Sequence, residues 1–269
     1  MNEVILDKEL GVSVFAKNTL NLIAKFWFLV AVFGQWIMVY YVVFHYGGSI
    51  LTGNLVALES PNGQTSGLLA LIVHVLLAVI IMGAGPLQLI PQIRAKAPKF
   101  HHINGRVYMA TIFIGSIIGL YIIWGDFEMP GGSAMFIAMN LLVLLILFFA
   151  GMALRYAIAR KIKQHRKWAL RLFMVVNAGW FFRVGLMAWI LINGGPVGFD
   201  PETFEGPFII VLAFAQYLLP LILLELYLWA RDKAGTASQY AMAAGLFAAT
   251  IVMGVGIFGA AMSMWLPYV

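Results

Sequence analysis

The chain has 269 residues, of which 62% are hydrophobic and only 10% charged, with a net charge of +6. A soluble fold has about a quarter of its residues charged, and one of this length has no core large enough to bury so much apolar surface. This composition excludes a soluble domain, and the absence of cysteine excludes disulfides, iron–sulfur clusters and thiolate chemistry.

A bilayer admits only helices or closed barrels. The apolar runs here are continuous and about twice the length of the roughly ten-residue alternating strands of a barrel. The predicted fold class is therefore all-α, a polytopic membrane helical bundle. Residues 1–18 alternate charged and apolar side chains (Val4, Ile5, Leu10, Val14, Phe15). Residues 1–19 thus read as a cytoplasmic N-terminal segment with a short interfacial helix that Gly11 weakens. No basic start, short apolar core and small-residue cleavage site is present, so the first span is expected to remain as an anchor. Seven spans of about 20 apolar residues follow, in one transmembrane domain over residues 20–269. They are predicted at 20–46, 67–93, 105–124, 133–156, 168–192, 207–229 and 240–266. Glycines at 83 and 85, and at 254, 256 and 259, allow close helix contact.

Of the 17 Lys and Arg residues, all but Arg183 lie before the first span or at its start (Lys25), in or beside the loops between the second and third and between the fourth and fifth, or after the sixth. The opposite loops carry Glu59, Asp126, Glu128, Asp200, Glu202 and Glu205 and no basic residue. This asymmetry predicts seven transmembrane helices with the N-terminus inside and the C-terminus outside. The expected location is the plasma membrane, the inner membrane of a bacterium, as a multi-pass protein. Because the basic residues border apolar spans, the partner they imply is the lipid bilayer and no nucleic acid. Tyr40, Tyr41, Tyr46, Trp124, Trp168, Trp229 and Trp265 fall near span ends, where aromatic belts form.

Ionisable groups inside a span are expensive and mark candidate sites. His74 lies roughly 10 Å below the outer boundary, and Arg183 climbs about 22 Å from the inner one, at 1.5 Å per residue. Asn140 shares that outer layer, so the three are expected to converge in one cavity. Arg183 stays charged and needs carbonyls, water, an acid of an outer loop or a bound anion. Glu225 lies near the inner boundary, where Arg231 or another basic loop residue is its expected partner. His74 and Gln92 are five full turns apart on the second span and point the same way, with Gln88 within about 40° of them. That stripe faces the bundle interior as a cofactor wall, a water path or interhelical glue. His45 ends the first span outside. His101 and His102 open the third span, and His165 precedes the fifth, at matching inner depth. His101 and His165 are therefore the candidate metal or haem ligands. Asn104 or Tyr108 is the expected second shell, and Arg106 and Arg171 would suit haem propionates. The run His101, Gly105, Arg106, Met109 also echoes His165, Trp168, Arg171, Met174, each opening a helix after a basic loop.

These motifs resemble those of the bacterial membrane proteins of domain-of-unknown-function family 2306. That pattern has a span histidine (His74), a Gly-Pro-x-Gln segment (Gly85, Pro86, Leu87, Gln88) and a His-Arg-x-x-Gly-Arg-x-Tyr motif, here His101 to Tyr108. A His-x-x-Trp-x-x-Arg motif (His165, Trp168, Arg171) and a later arginine (Arg183) complete it. The resemblance covers residues 67–183, the family-like core, and departs from it at His102, which stands where the family has arginine.

Three functions are compatible with these residues. The first is a haem b redox protein exchanging electrons with quinone or a respiratory complex, with cofactor-binding residues His74, Gln88, His101, Arg106, His165 and Arg183. The second is a transporter for a proton or small anion along His74, Gln88, Arg183 and Glu225. The third is a non-catalytic accessory or assembly subunit. There is no P-loop, GxSxG elbow or HExxH motif, and no catalytic residue is assigned.

Overall fold

The computed structural model describes residues 2–53, 65–125 and 131–268. Of the acidic loop residues, Glu59, Asp126 and Glu128 lie outside this range. Helix α1 (Asn2–Leu51) runs from the expected interfacial segment into the first span without a break. It is followed by α2 (Thr65–Leu89), the short α3 (Pro91–Lys96), α4 (Pro98–Trp124) and α5 (Gly132–Ile158). Next come α6 (Ile162–Val176), α7 (Ala178–Asn193), α8 (Pro207–Lys233) and α9 (Thr236–Ala260), closed by a π turn and a 3-10 turn to Tyr268. Six helices among the described residues are long and apolar enough to cross a membrane, and the count is seven with the bent pair α6–α7 taken as one broken span. Many large apolar side chains point outward, among them Leu22, Phe33, Ile117, Leu144 and Val211. Such exposure is stable only against lipid.

Two of the expected spans are interrupted. The second was expected over 67–93, but α2 stops at Leu89 and Pro91 opens α3. Proline has no N–H to continue the ladder and suits a first helical position. The polar stripe is cut there, and Gln92 lands exposed on α3. The fifth was expected as one helix over 168–192, but α6 and α7 meet at 54° across Asn177. The Asn177 amide donates to the Phe173 carbonyl at 2.7 Å, a side-chain bond that competes with the backbone ladder. Non-helical backbone at membrane depth persists only where protein buries it or it lines a cavity, and Asn177 does both. The third span begins earlier than expected, so His101 and His102 are already helical.

The spans pack as a ring. Helix α1 lies between α9 and α2, α2 meets α4, α4 meets α5, and α5 contacts both α6 and α8. The ring closes through α8 on α7 and α7 on α9. The α7–α9 contact is close, because Gly256 sits directly on the backbone of Val184. On the basic side, Arg171 clasps Glu225 through two bonds, Nε to Oε1 at 2.7 Å and Nη2 to Oε2 at 2.9 Å. Of the partners expected for Glu225, Arg231 turns to Asp232, and Arg171, from the basic stretch between the fourth and fifth spans, takes the pair. Arg171 lies three residues into the helix from Trp168 and stacks over its ring at 4.7 Å, which aims the guanidinium across to α8.

Candidate functional site

The ring encloses a cavity of about 660 Å³ at the end away from the basic loops. Small-molecule sites measure roughly 300–1,000 Å³, so this one is of ligand size. Its wall is apolar for the most part, including Leu71, Ile112, Met139, Leu142 and Phe182. Set into that wall are His74 from α2, Ser116 from α4, Asn177 at the helix break, Arg183 from α7 and Gln216 from α8. Tyr41 and Tyr46 reach it from the end of α1, and Trp180 and Trp265 add indoles.

The polar atoms of this wall are under-satisfied. His74 Nδ1, Asn177 Oδ1, Trp180 Nε1 and Trp265 Nε1 are buried without a hydrogen-bond partner. A buried polar atom left unpaired costs roughly 1–3 kcal/mol. The His74 ring rests on α4 at Gly119, where an added Cβ would stand 3.3 Å from its Cε1. A glycine there lets the imidazole approach the helix closely. Arg183 donates to the Gly179 carbonyl at 2.8 Å, one turn earlier on α7. Among the described residues no carboxylate pairs with it, and Tyr41 and Tyr46 are its neighbours on α1.

Asn140 does not join this layer as expected. Its amide oxygen accepts from Trp124 Nε1 at 2.9 Å, and its nitrogen donates to the Phe136 carbonyl at 2.8 Å. The indole at the membrane edge needs an acceptor and takes the nearest amide. At the mouth, His45 stacks on Tyr41 with centroids 5.2 Å apart, and its Nδ1 lies 3.3 Å from the Tyr268 carbonyl.

The opposite layer is built differently. His101 and His165 each occupy the fourth position of their helices, with backbone N–H groups bonded to Ala97 and Lys161. Arg94, His102 and His165 surround His101 electrostatically. His165 Nδ1 lies 2.9 Å from the Ala153 carbonyl and donates to it, which leaves Nε2 as the nitrogen able to ligate. His101 Nδ1 is buried and unpartnered. Gln88 donates to the His101 carbonyl at 3.3 Å and so fastens α2 to α4 rather than facing the cavity. The expected second shell does not form, because Asn104 donates to the Ala84 carbonyl at 3.2 Å and the Tyr108 hydroxyl packs on Gly85. Arg106 is exposed, and Arg171 is committed to Glu225, so neither is placed as a propionate partner for this layer. Among the described residues no three His, Asp or Glu come together as a metal-binding group. Haem iron asks for only one or two imidazoles.

Asn177 and Trp180 belong to the cavity and were not singled out from the sequence, whereas Trp265, also in its wall, reads there as a belt aromatic. The signal for Asn177 was present, an amide in the middle of an apolar span. The family profile described as a predicted membrane protein, DUF2306, matches residues 71–228. No curated protein and no solved structure matches the chain.

Proposed function

We propose that this chain, which belongs to the DUF2306 family of predicted membrane proteins, holds an amphiphilic organic molecule in its intramembrane cavity. Arg183 takes an anionic or carbonyl edge of that molecule, and the apolar wall takes its body. The observation that carries this reading is that Arg183, which pairs with no carboxylate among the described residues, and His74 line one cavity of ligand size. A cation left alone at membrane depth costs at least about 2.5–3.5 kcal/mol, and a bound anion removes that cost.

Haem b is the member of this class that uses both of these groups. His74 would hold its iron and Arg183 a propionate. When bound, haem supplies one-electron transfer, with a membrane quinone or a respiratory complex as exchange partner. The transport reading has less support, because Gln88 and Glu225 are bonded at helix contacts outside the cavity. Protein purified from haem-replete cells is expected to show a Soret band that shifts on reduction. The band should vanish in His74→Leu and persist in His165→Leu; the reverse pattern would move the haem to the inner layer. A colourless protein that also fails to bind added hemin rejects haem. Native mass spectrometry that finds only the bare chain mass rejects the cavity reading altogether.

The charge asymmetry supports an N-terminus in the cytoplasm and a C-terminus outside, in the plasma membrane. A reporter fused after Val269 that works only in the cytoplasm should stay silent. An active reporter would invert this orientation.

A further inference from the structure

The basic end of the bundle carries a second cavity, separate from the first and open to the surface. This groove of about 430 Å³ runs between the start of α6 and the end of α8. Lys163, Arg166 and Lys167 line it from α6, and Arg231 and Asp232 from α8. The single acid is already shared: Asp232 pairs with Lys167 at 3.0 Å and with Arg231 at 2.8 Å. Lys163 and Arg166 take part in no ion pair among the described residues. The groove thus keeps an excess of positive charge after its internal pairs are counted.

Its remaining lining is apolar and lies on one side. Leu170 sits three residues beyond Lys167, and Leu228 three residues before Arg231. The two helices run in opposite directions through the same boundary, so each leucine lies about one turn deeper in the membrane than its cation. Leu228 belongs to the buried core with Phe173 and Leu224 and forms a fixed floor. Tyr227, under the Arg231 guanidinium at 5.4 Å, and Trp168 mark this level as the membrane–water interface.

We propose that this groove binds the headgroup of an anionic phospholipid, with its phosphate on Lys163 and Arg166 and the start of an acyl chain over Leu170 and Leu228. Basic pockets between transmembrane helices suit such headgroups, and each cation near the surface contributes about 1 kcal/mol. A soluble anion would use the cations and gain nothing from the leucines. A zwitterionic lipid would cover the leucines but bring its own cation to the basic rim.

The test uses the full chain, delipidated in detergent and titrated with short-chain phosphatidylglycerol, with phosphatidylcholine of equal chain length and with inorganic phosphate. Phosphatidylglycerol is expected to bind at least tenfold more tightly than phosphatidylcholine, and phosphate alone not to saturate. The variant K163Q/R166Q should weaken phosphatidylglycerol about thirtyfold, from two cations at about 1 kcal/mol each, and leave phosphatidylcholine unchanged. Both side chains are exposed, so its melting temperature should match the parent; if it does not, Lys163→Gln alone should cost about fivefold. Equal binding of the two lipids, a variant that binds like the parent, or phosphate binding as tight as the lipid's would each overturn the proposal.

Discussion

Arg183→Gln is expected to weaken the cavity's ligand on the order of a hundredfold while leaving the empty protein at least as stable as before. A hydrogen bond to a charged group contributes roughly 1.5–3 kcal/mol, and every 1.4 kcal/mol is about tenfold in affinity. The mostly apolar cavity wall favours the upper end of that range, because such a lining screens a charge less than bulk water does. The stability change carries the opposite sign. Empty, the guanidinium has only the Gly179 carbonyl among the described residues, and removing an uncompensated buried charge is neutral or favourable. Arg183→Lys separates two kinds of ligand edge, since lysine keeps the charge and loses the bidentate fork. A carboxylate edge should lose about tenfold with the fork, and a neutral carbonyl edge, which takes a single bond, should lose less. Hemin titration read by absorbance, together with ligand occupancy by native mass spectrometry, measures both. Parent-like occupancy in Arg183→Gln would remove Arg183 from the site.

Gly256→Ala should destabilise the bundle by about 3 kcal/mol or more, at and beyond the upper end of ordinary overpacking. A Cβ at this position would overlap the Val184 carbonyl and stand 2.8 Å from Val184 Cγ1. Backbone cannot rotate away as a side-chain tip can, so α9 must separate from α7. Val184 adjoins Arg183, so the same displacement moves a cavity wall. Thermal unfolding in detergent should show the loss of stability, and ligand occupancy should fall with it. Gly254→Ala is the matched control, because nothing lies within 4 Å of its added carbon; its melting temperature should stay at the parent value. Equal effects at the two glycines would mean that the α7–α9 contact is looser than the structure has it.

The outer layer shows where sequence reading ends. Counting residues at about 1.5 Å each sets His74, Asn140 and Arg183 at similar depth, yet only His74 and Arg183 reach the cavity. Depth follows from position along a helix, but direction depends on which neighbour claims the side chain. Trp124, sixteen residues earlier, claims Asn140. Likewise Glu225 had a basic partner in prospect, and the partner is Arg171, fifty-four residues away, rather than Arg231 six residues along. Helix α6 carries Arg171 toward α8, an arrangement no local pattern encodes.

The sequence by itself determined that this is a helical membrane protein, about how many times it crosses, where the crossings lie and which loops are basic. Those properties depend on the length of apolar runs against a bilayer of given thickness and on charge beside them, both local quantities. Tertiary structure alone decided the break at Asn177, the close seating of Gly256 on α7, the Arg171–Glu225 clasp and the cavity shared by His74 and Arg183. Each of these depends on the rotation of one helix against another, which side-chain packing selects among arrangements of equal hydrophobicity.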